Sequence, residues 1–174
     1  MSIRIYQMKD HSISVDQDIY ATSFVSKYLD TATVNAITKN YKTTLPSDMV
    51  LTKADAPTSD EQVEKFTRKF KIHHRACIGS LIYLLSTRME LNFAVNKLAR
   101  FSENPGKVHF EGLIHLLRYI RYNKTLGLNY YDDMNDAPVS DLLRQASIKT
   151  DNHFTAFSDS SWKDCPDTGR GTGA

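Results

Sequence analysis

Three consecutive stretches between His73 and Asn123 repeat their apolar residues at helical spacing, and this run constrains the fold more than anything else in the chain. In the first, Ile78, Leu81, Ile82, Leu84 and Leu85 leave a helix apolar on most of its surface, which marks it as the expected central helix. Thr87 and Glu90 then stand in the T-x-x-E spacing of a capping box and are expected to restart the chain as a second helix. The second helix should bury Leu91, Ala94, Val95, Leu98 and Phe101, and Asn104-Pro105-Gly106 should end it. A third follows with Phe110, Leu113, Ile114, Leu117 and Ile120 inward, stopping near Asn123. Isolated helices of this length are marginal in water, so each apolar stripe demands a partner. A helical cluster from about 60 to 124 is the simplest way to supply one.

The flanks read differently. Ile3, Ile5, Ile13 and Val15 alternate with polar neighbours on either side of Gln7-Met8-Lys9-Asp10-His11, the pattern of a β-hairpin. Asp16 is placed to cap a helix whose apolar side is Tyr20, Phe24, Val25, Tyr28 and Leu29. From 31 to 60 periodicity fails, and Pro46, Pro57 and many Thr, Ser and Asp residues mark a long connector before pattern returns near Val63. Leu126 to Tyr131 reads as a strand, and 132–150 as a polar loop around a short helix at Asp141–Gln145. His153 to Phe157 reads as a further strand delivering Ser158-Asp159-Ser160-Ser161-Trp162. The tail from Asp167 to Ala174 holds three glycines in eight residues and no closing element, so the last strand is expected to be cut short. The fold class is therefore α+β: an N-terminal hairpin, a helical bundle and an incomplete C-terminal β segment.

Composition narrows the function classes. The 174 residues are 41% hydrophobic and 24% charged, as in ordinary globular proteins. A formal charge of +2 advertises no global basic field, so any nucleic-acid surface must be local. Cys77 and Cys165 lie far apart, which argues against a disulfide framework and suits a reducing compartment. Every apolar run falls well short of the roughly 20 residues of a membrane span, and Arg4 is followed by no apolar signal segment. Intracellular placement, in cytoplasm or nucleus and without a membrane partner, is the expectation.

The most specific signal is a string of motifs. Arg75-Ala76-Cys77-Ile78-Gly79-Ser80-Leu81-Ile82-Tyr83-Leu84 is followed by Thr87-Arg88, then by Asn92-Phe93-Ala94-Val95-Asn96-Lys97-Leu98-Ala99-Arg100-Phe101. Asn104-Pro105, His109, Leu117-Arg118-Tyr119-Ile120 and Leu126-Gly127-Leu128 come after it. In this order the string resembles the reverse transcriptase of copia-type LTR retrotransposon Pol polyproteins, downstream of the polymerase active site. Met1–Ile5 and Ile13–Tyr20 are similar to that family's hairpin and following helix, and Phe157 to Trp162 to its S-D-A-D-W at the start of RNase H. The resemblance covers nearly all of the chain apart from 31–70. It implies that 1–150 is the C-terminal part of a reverse transcriptase, with hairpin 1–16, connector 31–60 and helical thumb 61–131. It implies that 151–174 begins an RNase H domain. Where the family has Arg-Pro-Asp this chain has Arg88-Met89-Glu90; where it has Tyr and Trp it has His74 and Phe110. These are packing changes of the sort a diverged copy carries.

The resemblance further implies an RNA-directed DNA polymerase with RNase H, using magnesium in its complete form. For this chain alone no activity and no cofactor are expected. Tyr130-Tyr131-Asp132-Asp133 imitates the Y-x-D-D of polymerase sites, where a hairpin presents paired carboxylates to two metal ions. Here Met134-Asn135-Asp136-Ala137-Pro138 follows and no apolar strand returns, so it reads as a loop. Asp159 corresponds to the first RNase H carboxylate, which would be catalytic and metal-binding only with partners expected beyond Ala174; a solvated Asp at a strand end is its plain reading. Lys97 and Arg100 share a face of the second helix, and His115, Arg118 and Arg121 recur at i, i+3, i+6 on the third. In a thumb such faces would meet phosphates of an RNA–DNA or DNA duplex, although any amphipathic helix also carries a solvated polar side. The remaining partner implied is the rest of the Pol polyprotein, and no small-molecule cofactor is expected. Cys77, four residues after His73, makes a Cys–His nucleophile pair conceivable, but it opens an apolar helix and reads as a buried small hydrophobe. The alternative from another class is a non-enzymatic helical interaction module, or a degenerate relic, that kept a retroelement-like core.

Overall fold

The computed structural model describes residues 3–29, 41–131 and 166–168. The chain divides into two compact units, one spanning Met1–Ile3 with Asp16–Gly127 and the other Arg4–Val15 with Leu128–Ala174. Strands and helices together make the fold α+β, as the alternating and helical patterns require.

The smaller unit holds a three-stranded antiparallel sheet in the order β1 (Arg4–Gln7), β2 (Ile13–Asp16), β3 (Leu128–Tyr130). The polar run after Gln7 is the turn: Met8 N–H donates to Ser12 O at 2.8 Å and His11 N–H to Met8 O at 3.1 Å. His11 sits in the left-handed region at φ 65°. Asp10 Oδ1 accepts from both the N–H and the hydroxyl of Ser12, at 3.1 and 2.7 Å, and these bonds hold its carboxyl below the usual range. Ile13 faces Tyr130 and Val15 faces Leu128, so one side of the sheet is apolar on both strands.

In the larger unit, α1 (Asp18–Tyr28) begins where Asp16 Oδ1 accepts the Asp18 N–H at 3.0 Å. The cap position falls on Gln17, one residue later than expected and without a side-chain cap bond, while Asp16 takes only the first helical N–H. Ala21, Phe24, Val25 and Leu29 are buried, with Tyr20 and Tyr28 packed against them. The connector then does something no periodicity announces. Leu45 and Leu51 enter the core and Tyr41 and Met49 pack on it, before a 3-10 turn at Lys53–Asp55. The Asp55 carboxylate accepts from the Thr52 N–H and hydroxyl at 3.1 and 2.7 Å, which closes that turn.

Helix α2 (Asp60–Phe70) is stabilised mainly from its own sequence. Ser59 Oγ accepts the Gln62 N–H, Asp60 and Glu61 sit in the first turn, and Arg68 and Lys69 in the last. It buries no residue fully; Phe70 stacks on Phe110 at 4.8 Å, and Lys71 at φ 52° ends the helix. Helices α3 (His74–Leu84), α4 (Asn92–Ala99) and α5 (Lys107–Tyr122) follow, in the places the spacing predicts.

Two expectations need correction. The central helix is α5, which lies against α1, α4 and the Lys53–Asp55 turn. Leu113, Leu116, Leu117 and Ile120 are wholly buried on it, each stabilising the fold by roughly 1.5–3 kcal/mol relative to exposure. Helix α3 instead points Ile82 outward at 54% exposure, because an apolar residue count does not fix which side meets the core. Nor does the Thr87–Glu90 capping box form. Thr87 Oγ1 donates to Gln17 Oε1 at 2.7 Å, Glu90 accepts from Arg88 Nε at 2.6 Å, and residues Met89–Leu91 make a 3-10 turn before α4 starts at Asn92. A buried partner for Thr87 and a buried charge for Glu90 outweigh a local cap worth about 1 kcal/mol. The predicted strand at 153–157 and the loop at 132–150 lie outside the described residues.

Candidate nucleic-acid interface

The five basic positions picked out from the sequence fall on the outer sides of α4 and α5. On α4, Leu91, Ala94, Val95 and Leu98 face the core, which turns Phe93, Lys97 and Arg100 away from it. Lys97 Nζ lies 4.8 Å from the centroid of the Phe93 ring one turn earlier, and Arg100 is exposed. On α5, His115, Arg118 and Arg121 are half-buried along one flank, beside the inward Leu116, Leu117 and Ile120.

His115 has a structural duty. Its Nε2 lies 3.0 Å from Thr43 O and its ring meets Tyr41 edge-on at 5.0 Å. A carbonyl only accepts, so Nε2 must carry the proton, and the imidazole tethers the connector to α5. Asn123 does the same from the end of the helix, donating to Tyr41 O at 3.1 Å. Arg118 and Arg121 therefore form the cationic part of this flank, while Glu111 earlier on the helix lies 3.6 Å from Lys107.

Just before the Met89–Leu91 turn sits a buried charge that sequence reasoning missed. Arg88 is 1% exposed, gives Nε to Glu90, and has neither Nη1 nor Nη2 hydrogen-bonded. Tyr119 lies within reach of this pair; burial raises its phenol first, and the Glu90 charge raises it further. Gln17, also buried, accepts from Thr87 and, at 3.3 Å, from Ser86. The sequence signals for this cluster were the Thr87-Arg88 step of the motif string and its adjacency to an apolar helix. Gly106 N–H donates to His109 Nδ1 at 2.8 Å, and that ring stacks on Phe101 at 4.1 Å, which fixes the start of α5.

The nucleophile pair does not form. His73 Nδ1 accepts the Ala76 N–H as the cap of α3, while Cys77 is fully buried and burial pushes its thiol up to about 12. Asp159, Asp132 and Asp133 lie outside the described residues. Among the described residues no group of three or more His, Cys, Asp or Glu could hold a metal ion. Among them, too, no helix is long and apolar enough to cross a membrane.

No family model matches the chain, and no solved structure matches it. Named relatives do. The retrovirus-related Pol polyprotein from transposon TNT 1-94 of Nicotiana tabacum is 35% identical over 99 residues, 55% of this chain and 7% of that protein. An uncharacterized mitochondrial protein of Arabidopsis thaliana is 33% identical over 89 residues, 51% of this chain and 66% of its own length. The retrovirus-related Pol polyprotein from transposon RE1 of Arabidopsis thaliana is 33% identical over 78 residues, 39% of this chain and 5% of that protein. The chain thus spans a small fraction of the transposon polyproteins that it matches. Dense motif order, an α+β fold built on those motifs and these relatives together support a fragment of a copia-type retrotransposon Pol polyprotein.

Proposed function

We propose that this chain is the portion of a retrotransposon reverse transcriptase that follows the polymerase active site. Its helical part holds the template–primer duplex and leads into RNase H. The observation that supports this best is the position of Lys97, Arg100, Arg118 and Arg121, on or at the end of α4 and α5 and on sides that face away from the buried stripes. Cations so placed meet phosphates without reading sequence, which is what a duplex-holding thumb requires. On the same reading the hairpin closes the end of the palm, and Asp159 supplies the first RNase H carboxylate. The complete enzyme's magnesium chemistry would need further carboxylates, so the chain alone binds and does not catalyse.

The test is fluorescence anisotropy of the purified chain with an RNA–DNA hybrid across a salt series. Binding should weaken steeply with salt, and the double variants Lys97→Ala/Arg100→Ala and Arg118→Ala/Arg121→Ala should each flatten the log–log slope by about one per cation removed. Affinity equal at low and high salt sinks the reading and leaves a helical interaction module.

A further inference from the structure

The basic positions do not account for the most conspicuous side chain on their helix. Phe93 is 59% exposed and Met89, one turn earlier in the chain, is 64% exposed. Burying either would stabilise the fold, yet the α4 stripe leaves both outside. Lys97 covers one side of the Phe93 ring at 4.8 Å and no salt bridge to it is found among the described residues. Glu90, a near carboxylate in sequence, is turned away to Arg88 at 2.6 Å. The face is therefore an open aromatic ring bordered by an ammonium, with Arg100 one turn further on.

We infer that this face takes an unpaired nucleic-acid base, stacked on the Phe93 ring while Lys97 meets the adjoining phosphate. The inference rests on the duplex-holding reading and deepens it: the preferred ligand is a duplex with a single-stranded overhang, because a base inside a closed duplex has no free face to offer. Anionic phosphate complements Lys97, and every base has a π-face, so the contact is tolerant of sequence. An apolar protein partner would gain Phe93 and Met89 but would have to desolvate Lys97 without a counter-charge, which disfavours it.

The experiment compares wild type, Phe93→Ala and Phe93→Trp on a blunt RNA–DNA hybrid and on the same hybrid with an unpaired extension. Wild type should favour the overhang by roughly tenfold, the range of one base–aromatic stack. Phe93→Ala should lose that preference while keeping the wild-type salt slope on blunt duplex, and Phe93→Trp should restore it. Circular dichroism melts of the three should coincide, since Phe93 lies outside the core. Salt-sensitive binding with equal affinity for blunt and overhanging ligands, or a preference that survives Phe93→Ala, overturns the inference alone. Absence of any salt-sensitive binding overturns the duplex-holding reading with it.

Discussion

His74 gives the fold a built-in acid sensitivity. It opens α3 at 4% exposure, its ring meets Phe110 edge-on at 5.5 Å, and neither ring nitrogen has a hydrogen-bond partner. Burial, helped by the charges of His109 and His73, pulls its pKa from 6.5 to about 4. The folded state thus holds the imidazole neutral, while the unfolded chain takes up a proton as pH falls below its ordinary value. Since the unfolded state binds more protons in that window, stability declines from pH 6.5 downward and the loss is complete near 4. Linkage puts the loss at about 2 kcal/mol between about pH 7.5 and about pH 5, rising to about 3 kcal/mol below the folded pKa. The variant to compare is His74→Phe, which keeps an aromatic ring against Phe110 and removes the titration. Urea unfolding followed by circular dichroism at both pH values gives the free energies, and other titrating groups cancel in the difference between the two proteins. His74→Phe should be more acid-resistant by about 2 kcal/mol. A wild-type-to-variant difference that does not change with pH refutes the reasoning.

Two further substitutions probe the packing. A Cβ on Gly106 would stand 1.7 Å from Asp55 O and 2.7 Å from Asp55 C. Both are backbone, so Gly106→Ala must part the start of α5 from the Lys53–Asp55 turn; a loss of roughly 2–4 kcal/mol is expected in thermal melts, and an unchanged midpoint would contradict it. At Arg88 the order of two variants is decisive. Glu90→Gln strips the buried guanidinium of its carboxylate and should cost about 2–3 kcal/mol, whereas Arg88→Met removes a charge whose Nη atoms are already unpaired and should lie within about 1 kcal/mol of wild type. Urea midpoints in the reverse order would show that the guanidinium contributes net stability.

The sequence reveals helices here better than it reveals their relations. The stripe Leu91, Ala94, Val95, Leu98 and Phe101 is buried throughout, because period alone determines which side of a helix is apolar. Which helix lies at the centre depends on distant partners, and there the apolar run at 78–85 misleads through Ile82. Leu45 and Leu51 were unreadable as core for a related reason: isolated leucines among Thr, Ser and Asp carry no period, and only the docking of the connector beside α5 buries them. The capping-box spacing at Thr87 fails because its hydroxyl is claimed by Gln17, seventy residues earlier. No local rule sees across such a distance. Of the candidate site, the outward direction of Lys97 and Arg100 follows directly from the stripe, while the tethering of His115 to Thr43 and the burial of Arg88 do not.

Many of the residues that make this family recognisable are ones that the fold buries. Cys77, Ile78, Leu81, Leu84, Thr87, Arg88, Ala94, Val95, Leu98, Phe101, Leu117 and Ile120 all belong to the motif string and all lie inside. Such positions tolerate little change in volume, so they persist for reasons of packing whether or not a copy still performs its chemistry. The surface positions that would touch nucleic acid face no such constraint, since an exposed Lys or Phe can change with little effect on stability. Motif density therefore attests lineage and fold strongly and activity weakly. It follows that functional decay in a chain like this would register first at the exposed and half-buried Phe93, Lys97, Arg118 and Arg121, with the buried part of the string intact. Binding measured at those four positions discriminates a working thumb from a well-folded relic, where identity to the transposon polyproteins does not.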